Sequence, residues 1–334
     1  MNDLIKQLEA RLAAAGSGNA KRAAEELAAH VMGCRPLEIY FKTITPEQQA
    51  ELEKLIVRAE QGEPIQYIIG HVDFRGLEIR CDRRALIPRP ETELLVQAVL
   101  DNVDATPSSR TKQTKRDPPS PKATARRDEG VASTLKIVDV GSGTGCIALA
   151  LLSELPNAEV VAVDVSSDAL ALAKENAERL GFGGRFTAVQ GNLLNVDATT
   201  PSRCKQEKRD PPSPEATARR DEGVAFTFFA EASLDIVVSN PPYILSGVCK
   251  TLDPSVRDFE PKLALDGGAD GLDLVRPLVE QAAWVLKPGG GIFLEIGYDQ
   301  GLAVALILKD AGFQRVEIKK DYAGLDRIVI GFRR

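Results

Sequence analysis

The chain has two histidines and one tryptophan among its 334 residues, and aromatics make up only 5% of it. So few imidazoles make a zinc cluster or Ser-His-Asp catalysis improbable. Five cysteines, Cys34, Cys81, Cys146, Cys204 and Cys249, lie far apart with no C-x-x-C pair. An odd, scattered set fits reduced thiols better than a disulfide framework. No apolar run approaches the roughly 18 residues a spanning helix needs, and Met1-Asn2-Asp3-Leu4 lacks the basic and then apolar profile of a signal peptide. A cytoplasmic protein without membrane attachment is therefore expected. Excess basic charge is missing too: the net charge of -6 argues against a protein that holds duplex nucleic acid by its phosphates. Core-forming material is plentiful, because 43% hydrophobic and 27% charged residues exclude a disordered chain and suffice for two domains.

An internal repeat stands out. Lys115 to Ala132 recurs as Lys208 to Ala225, with Lys122 replaced by Glu215. Each copy lies in a stretch rich in Pro, Ser, Thr and Arg, at about 106–134 and 200–227, with almost no large apolar side chain. Two copies are too few for a solenoid, so both read as disordered insertions. Their net charge is near +5, which leaves the remainder near -11 and weakens a nucleic-acid partner further.

The remainder reads as two parts. Residues 2–61 have helical spacing: Leu4, Leu8 and Leu12 recur on one face, an Ala-rich segment follows at 20–32, and Pro46 opens a segment carrying Leu52, Leu55 and Ile56. Residues 65–81 shift toward strand patterning around a turn at Arg75-Gly76, which predicts a β-hairpin linker. The expected division is a helical domain at 1–64, a linker at 65–90 and a third unit at 91–334 that opens with a helix from Glu91 to about Val103. From Leu135 onward, strands alternate with helices, as in an open parallel α/β sheet. The strands are Lys136–Val140, Glu159–Asp164, Arg185–Gln190, Leu234–Ser239 and Gly291–Ile296, with a last pair, Arg315–Lys319 and Arg327–Phe332, joined too closely for a parallel crossover. Lys287-Pro-Gly-Gly290 reads as the turn into the fifth strand. Both insertions enter ahead of a strand, away from the crevice at the carboxyl ends where ligands bind.

The first of these strands runs into Gly141-Ser142-Gly143-Thr144-Gly145 and an apolar helix. Glycines there let the chain turn sharply and let a ligand approach the backbone, and Asp164, at the end of the next strand, suits two ribose hydroxyls. The spacing is G-x-G-x-G rather than the G-x-G-x-x-G that seats a pyrophosphate, and it resembles the loop of S-adenosylmethionine-dependent methyltransferases. Asp139 could orient the loop or receive the cofactor's amino group, and structural packing alone is an equal alternative for it.

Strand Leu234–Ser239 ends in Asn240-Pro241-Pro242-Tyr243. Two prolines force the chain out of the sheet beside the crevice. An amide nitrogen is a poor nucleophile, and two acceptors, the Asn240 side-chain oxygen and the Pro241 carbonyl, would hold its N–H groups while the nitrogen meets a sulfonium methyl in line. Tyr243 would pack on the planar substrate group. Catalytic weight thus falls on Asn240, Pro241 and Tyr243. His30 and His71 carry no role.

Gly62–Gly70, Leu86-Ile-Pro-Arg-Pro-Glu-Thr-Glu93, Asp139–Gly145, Ser239–Ile244, Phe259–Leu265, Leu286–Gly290 and Gly324–Val329 together resemble the HemK/PrmC family over essentially the whole chain outside the insertions. The resemblance implies a Rossmann-like class I S-adenosylmethionine-dependent methyltransferase, with a mostly parallel seven-stranded sheet and an antiparallel last strand, plus a small N-terminal helical domain that docks substrate. It implies methylation of the glutamine in the Gly-Gly-Gln motif of class-I peptide chain release factors, a step in translation termination. By motif, Gly141, Ser142, Gly143, Thr144, Gly145, Asp164, Asn192, Leu193 and Asn240 would bind S-adenosylmethionine, while Asn240, Pro241, Pro242, Tyr243 and Leu86 would form the glutamine pocket. Arg89 and Glu91 either line the mouth of that site or form a structural ion pair. Where the family usually has an acid beside a larger residue after the third strand, this chain has Asn192-Leu193, so weaker stacking on adenine with retained binding is expected. A monomer without direct nucleic-acid binding, metal or membrane contact follows. Two alternatives compete: an exocyclic-amine methyltransferase acting on a flipped base, and a non-catalytic cofactor-binding scaffold.

Overall fold

The computed structural model describes residues 1–103, 134–196 and 229–334. The insertions at about 106–134 and 200–227 lie, apart from Thr134, outside the described residues. The chain opens with helices α1 (Asn2–Ala14), α2 (Ala20–Met32) and α3 (Pro46–Glu60). Ile5, Leu8 and Leu12 of α1 meet Leu27 of α2 and Leu52, Leu55 and Ile56 of α3 in one apolar cluster. Thr45 caps α3: its hydroxyl accepts the Gln48 N–H at 3.2 Å and its own N–H reaches Gln48 Oε1 at 3.0 Å.

A short helix α4 (Ile65–Ile69) follows, so the first part of the expected hairpin is helical. Ile68 belongs to the buried helical cluster, and that burial overrides the β preference of the Ile-Gln-Tyr-Ile-Ile run. The hairpin itself is β1 (His71–Phe74) and β2 (Leu77–Arg80), antiparallel, turning at Arg75-Gly76 where both φ angles are positive. Helix α5 (Thr92–Asn102) comes next.

The remaining elements are β3 (Leu135–Val140), α6 (Cys146–Glu154), β4 (Ala158–Asp164), α7 (Ser167–Arg179), β5 (Phe186–Asn192), the two-residue β6 (Asn195–Val196), β7 (Leu234–Ser239), short α8 (Ser246–Cys249) and α9 (Pro254–Arg257), α10 (Val275–Val285), β8 (Leu286–Glu295), α11 (Gly301–Asp310), β9 (Gln314–Lys320) and β10 (Asp326–Phe332). The sheet order is β6-β5-β4-β3-β7-β8-β10-β9. β5, β4, β3, β7 and β8 pair in parallel, and β10 is antiparallel to both β8 and β9. The seven expected strands are all present, and β6 adds a short antiparallel bridge at one edge. Helices α5, α6 and α7 pack on one face and α10 and α11 on the other, so the central strands are covered on both sides and mostly apolar, as in β7, where every residue is buried, Asp235 and Ser239 included.

Lys287-Pro-Gly-Gly290 lies within β8 rather than ahead of it. The ladder jumps from Leu234 opposite Leu286 to Ile236 opposite Gly291, so these residues bulge out of register. Because β3 and β7 are neighbours whose onward connections run to opposite sides of the sheet, the crevice between their carboxyl ends is the topological switch point.

Candidate active site

Beyond Val140 the chain cannot continue as a strand, because Gly141, Gly143 and Gly145 all have positive φ, at 71°, 56° and 81°. The turn is held by Gly141 and Ser142 N–H groups donating to Val163 O at 2.8 and 3.1 Å, and by Gly145 N–H donating to Ser142 O at 2.8 Å. Gly145 precedes the buried helix α6, and a Cβ there would stand 3.1 Å from the Ala173 side chain of α7. Asn176 of α7 completes the tie: fully buried, it donates to Thr144 O at 3.0 Å and bonds both Arg80 N–H and Arg80 O.

Two carboxylates brace this loop. Asp139 accepts from Ser142 Oγ at 2.9 Å and from Ala148 N–H at 3.3 Å. Burial pushes its carboxyl up to about 7 against the pull of those two bonds, with Asp164 adding repulsion. Asp164 accepts from Gly143 N–H and Ser166 N–H, each at 2.9 Å, and is also raised by burial. Among the described residues, three buried side-chain oxygens lack a hydrogen-bond partner: Asp139 Oδ1, Thr144 Oγ1 and Glu295 Oε2. Two of the three belong to the glycine loop and its strand. Unpaired acceptors beside a left-handed loop fit a ligand rich in N–H and O–H donors such as S-adenosylmethionine.

Asn240 follows β7, and Ser239 Oγ ties its strand to β3 by donating to Val140 O at 2.6 Å. The Asn240 Nδ2 donates to Thr92 Oγ1 at 3.2 Å, and both groups lie against the carboxylate of Glu295. The turn that follows is clamped from outside. Gln300 donates to Tyr243 O at 3.1 Å and Gly271 O at 3.3 Å, and accepts Gly297 N–H at 2.9 Å. A Cβ at Gly267 would lie 2.6 Å from Pro242 O and 2.8 Å from Tyr243 Cα, so only glycine fits against this backbone. Pro241 is buried, Pro242 and Tyr243 are half-buried, and burial followed by the Glu295 charge pushes the Tyr243 hydroxyl up to about 12.

Leu86 is half-buried on a segment whose neighbour Ala85 comes within 3.9 Å of a Cβ built on Gly143, which puts this wall beside the glycine loop. The segment is fixed by Glu260, which accepts Ile87 N–H at 3.1 Å and pairs with Arg89. Arg89 thus pairs with Glu260 and not with Glu91, because the buried carboxylate is the better partner. Asn192 ends β5 exposed, and Leu193, with φ at 56°, packs against the core under α10. His30 and His71 face each other at 6.3 Å between ring centroids, on α2 and β1. Among the described residues no three His, Cys, Asp or Glu side chains assemble as a metal site, and no helix is long and apolar enough to cross a membrane.

Sequence reasoning missed the part played by Thr92, Asn176, Glu260, Glu295 and Gln300. Glu295 had a visible signal: a carboxylate ending an otherwise apolar strand, Gly291-Ile-Phe-Leu-Glu295.

Sheet topology, glycine loop and Asn-Pro-Pro-Tyr turn define a class I S-adenosylmethionine-dependent methyltransferase. A family pattern described as the PrmC N-terminal domain matches residues 3–70, and one described as a methyltransferase domain matches 132–204. The release factor glutamine methyltransferase of Agrobacterium fabrum is 34% identical over 327 residues, covering 97% of this chain and 94% of its own. That of Moorella thermoacetica is 35% identical over 328 residues, covering 97% and 95%. The chain belongs to the release factor glutamine methyltransferase family.

Proposed function

We propose that this protein methylates the side-chain amide nitrogen of the glutamine in the Gly-Gly-Gln motif of class-I peptide chain release factors. The observation that carries this reading is the placement of the Asn240 turn beside the glycine loop, with Ser239 bonded to Val140 across the switch point. Bound there, S-adenosylmethionine supplies an electrophilic methyl group on a sulfonium. Gly141 to Gly145 would offer it backbone and hydroxyl groups, Asp164 would accept from its ribose hydroxyls, Asn192 would accept from its adenine amine, and Leu193 would cover one face of the ring.

Asn240 Oδ1 and the Pro241 carbonyl each accept one N–H of the glutamine amide. Held by two acceptors, the nitrogen keeps its lone pair directed at the methyl group, and its freedom to rotate is removed before reaction. Tyr243 packs on the amide plane, and Pro242 and Leu86 close the apolar wall. Transfer would break the sulfur–methyl bond and leave the cofactor as a neutral thioether, and the nitrogen would give up one of its two original protons to solvent. A methylated amide cation is acidic enough to need no general base, which suits a crevice whose own side chains include no histidine.

The helical unit at 1–64, with α4 packed on it, holds the body of the release factor, and 65–90 joins it to the methyltransferase unit at 91–334. The acidic body selects a partly basic protein partner rather than nucleic acid. A cytoplasmic monomer serves this role. The test is a mass spectrum of the Gly-Gly-Gln peptide after incubation with this protein and S-adenosylmethionine, beside Asn240→Ala. The glutamine should gain the mass of one methylene in the parent only. No gain while the cofactor still binds would refute the reading and favour an exocyclic amine of a nucleic acid.

A further inference from the structure

Glu295 ends β8 in the middle of the sheet, 1% exposed, and its Oε2 has no hydrogen-bond partner. A buried carboxylate with an unsatisfied oxygen costs stability that an apolar side chain of similar size would not. Such a group persists where it acts on something else, and what it touches is the Asn240 amide and the Thr92 hydroxyl.

Asn240 by itself is ambiguous. Its amide carries an oxygen and an NH2 of nearly equal shape, and only the oxygen accepts a substrate N–H. An ionised carboxylate accepts and cannot donate, so it draws Nδ2 and repels Oδ1. The Thr92 hydroxyl accepts from Nδ2 at 3.2 Å, which leaves its own hydrogen free to turn to the carboxylate beside it. We infer that Glu295 and Thr92 are positioning residues for methyl transfer, holding the Asn240 NH2 on the protein side so that Oδ1 is presented to the glutamine nitrogen. This rests on the reading of Asn240 as the acceptor of the substrate amide.

The device depends on charge. Around Glu295 stand Thr92 and Glu91 at the start of α5, Arg327 on β10, and Asn240 and Tyr243 after β7. Burial outweighs the help of Thr92, Arg327 and Asn240, and Glu91 adds repulsion, so the carboxyl sits at about 7. Once protonated, Glu295 can donate to Oδ1, and the amide loses its fixed orientation. Activity therefore has an acid limb that belongs to Glu295.

The test uses the full chain, a class-I release factor and S-adenosylmethionine. Thr92→Val and Glu295→Gln should each lower kcat by about 10- to 100-fold while the release factor KM and cofactor Kd stay within about threefold, and Thr92→Ser should keep the parent rate within about threefold. The acid limb near pH 7 should be present in the parent and absent in Glu295→Gln. An unchanged kcat in Thr92→Val, or a limb that persists in Glu295→Gln, overturns the assignment. Should Glu295→Gln fail to fold, the Thr92 pair decides. A second measurement needs no substrate: with asparagine labelled by 15N, the Asn240 side-chain NH2 signal, identified by its loss in Asn240→Ala, should shift with a midpoint near pH 7. No shift in the parent overturns the inference. If the parent methylates no release factor, the functional reading fails, and the NH2 titration still decides the positioning role.

Discussion

Replacing Asn176 with alanine should cost about 3 kcal/mol of stability and weaken cofactor binding together, because one amide joins three elements. The side chain accepts Arg80 N–H at 2.9 Å, donates to Arg80 O at 3.0 Å and donates to Thr144 O at 3.0 Å. Each bond contributes about 1 kcal/mol net. Arg80 is exposed at the end of β2, where water can replace the lost partner. Thr144 is buried, so its carbonyl adds a desolvation term of about 1 kcal/mol or more when stranded. In a thermal melt the loss corresponds to a fall in Tm of roughly 6 to 12 °C. A calorimetric titration of S-adenosylmethionine should show Kd weaker by about fivefold or more, because the freed Thr144 belongs to the loop that holds the cofactor. A loss below about 1 kcal/mol with unchanged cofactor affinity would refute the argument, since the amide would then be joining nothing that matters.

Asp139 is held near 7 against an ordinary value of 3.8, so its burial makes stability fall as pH rises from about 4 to 7; Asp139→Asn should flatten that slope relative to the parent in denaturation series at several pH values. Gly271→Ala would drive a Cβ into Tyr243 O and Gln300, at a φ of 76°, and should lower methyl transfer by more than about tenfold while cofactor binding persists. Excising 108–132 and 202–225 should leave turnover within about tenfold, because the chain re-enters the sheet at the amino ends of β3 and β7; a larger drop, beyond about 1.4 kcal/mol of transition-state stabilisation, would assign the repeats a role.

What could be read from sequence was local. The glycine loop and the Asn240 turn announce themselves because glycine and proline dictate backbone angles wherever they stand, and Gly141, Gly143 and Gly145 all take positive φ in the sharp turn. The strands were legible because buried parallel strands are apolar on both faces. Harder positions depended on distant partners. Arg89 has a carboxylate two residues away yet pairs with Glu260, 171 positions along the chain. Ile65 to Ile69 has strand composition, and only the helical cluster it meets in three dimensions makes it a helix. Thr92 and Glu295 become partners because β8 passes beside the start of α5, a proximity no spacing in the sequence encodes.

The two ends of the sheet have a consequence for how the molecule behaves when crowded. A sheet's outer strands carry free N–H and C=O groups that can recruit another chain. Among the described residues one border is β6, two residues long and too short to act as a template. The other is β9, where Arg315, Glu317 and Lys320 are exposed and the pairing with β10 is twice out of step, with Arg315 at a φ of 50°. A stranger strand aligning on β9 would meet charge and a twisted ladder instead of a flat row of acceptors. This sheet should therefore resist edge-on aggregation at concentrations where a flat-bordered α/β sheet would associate.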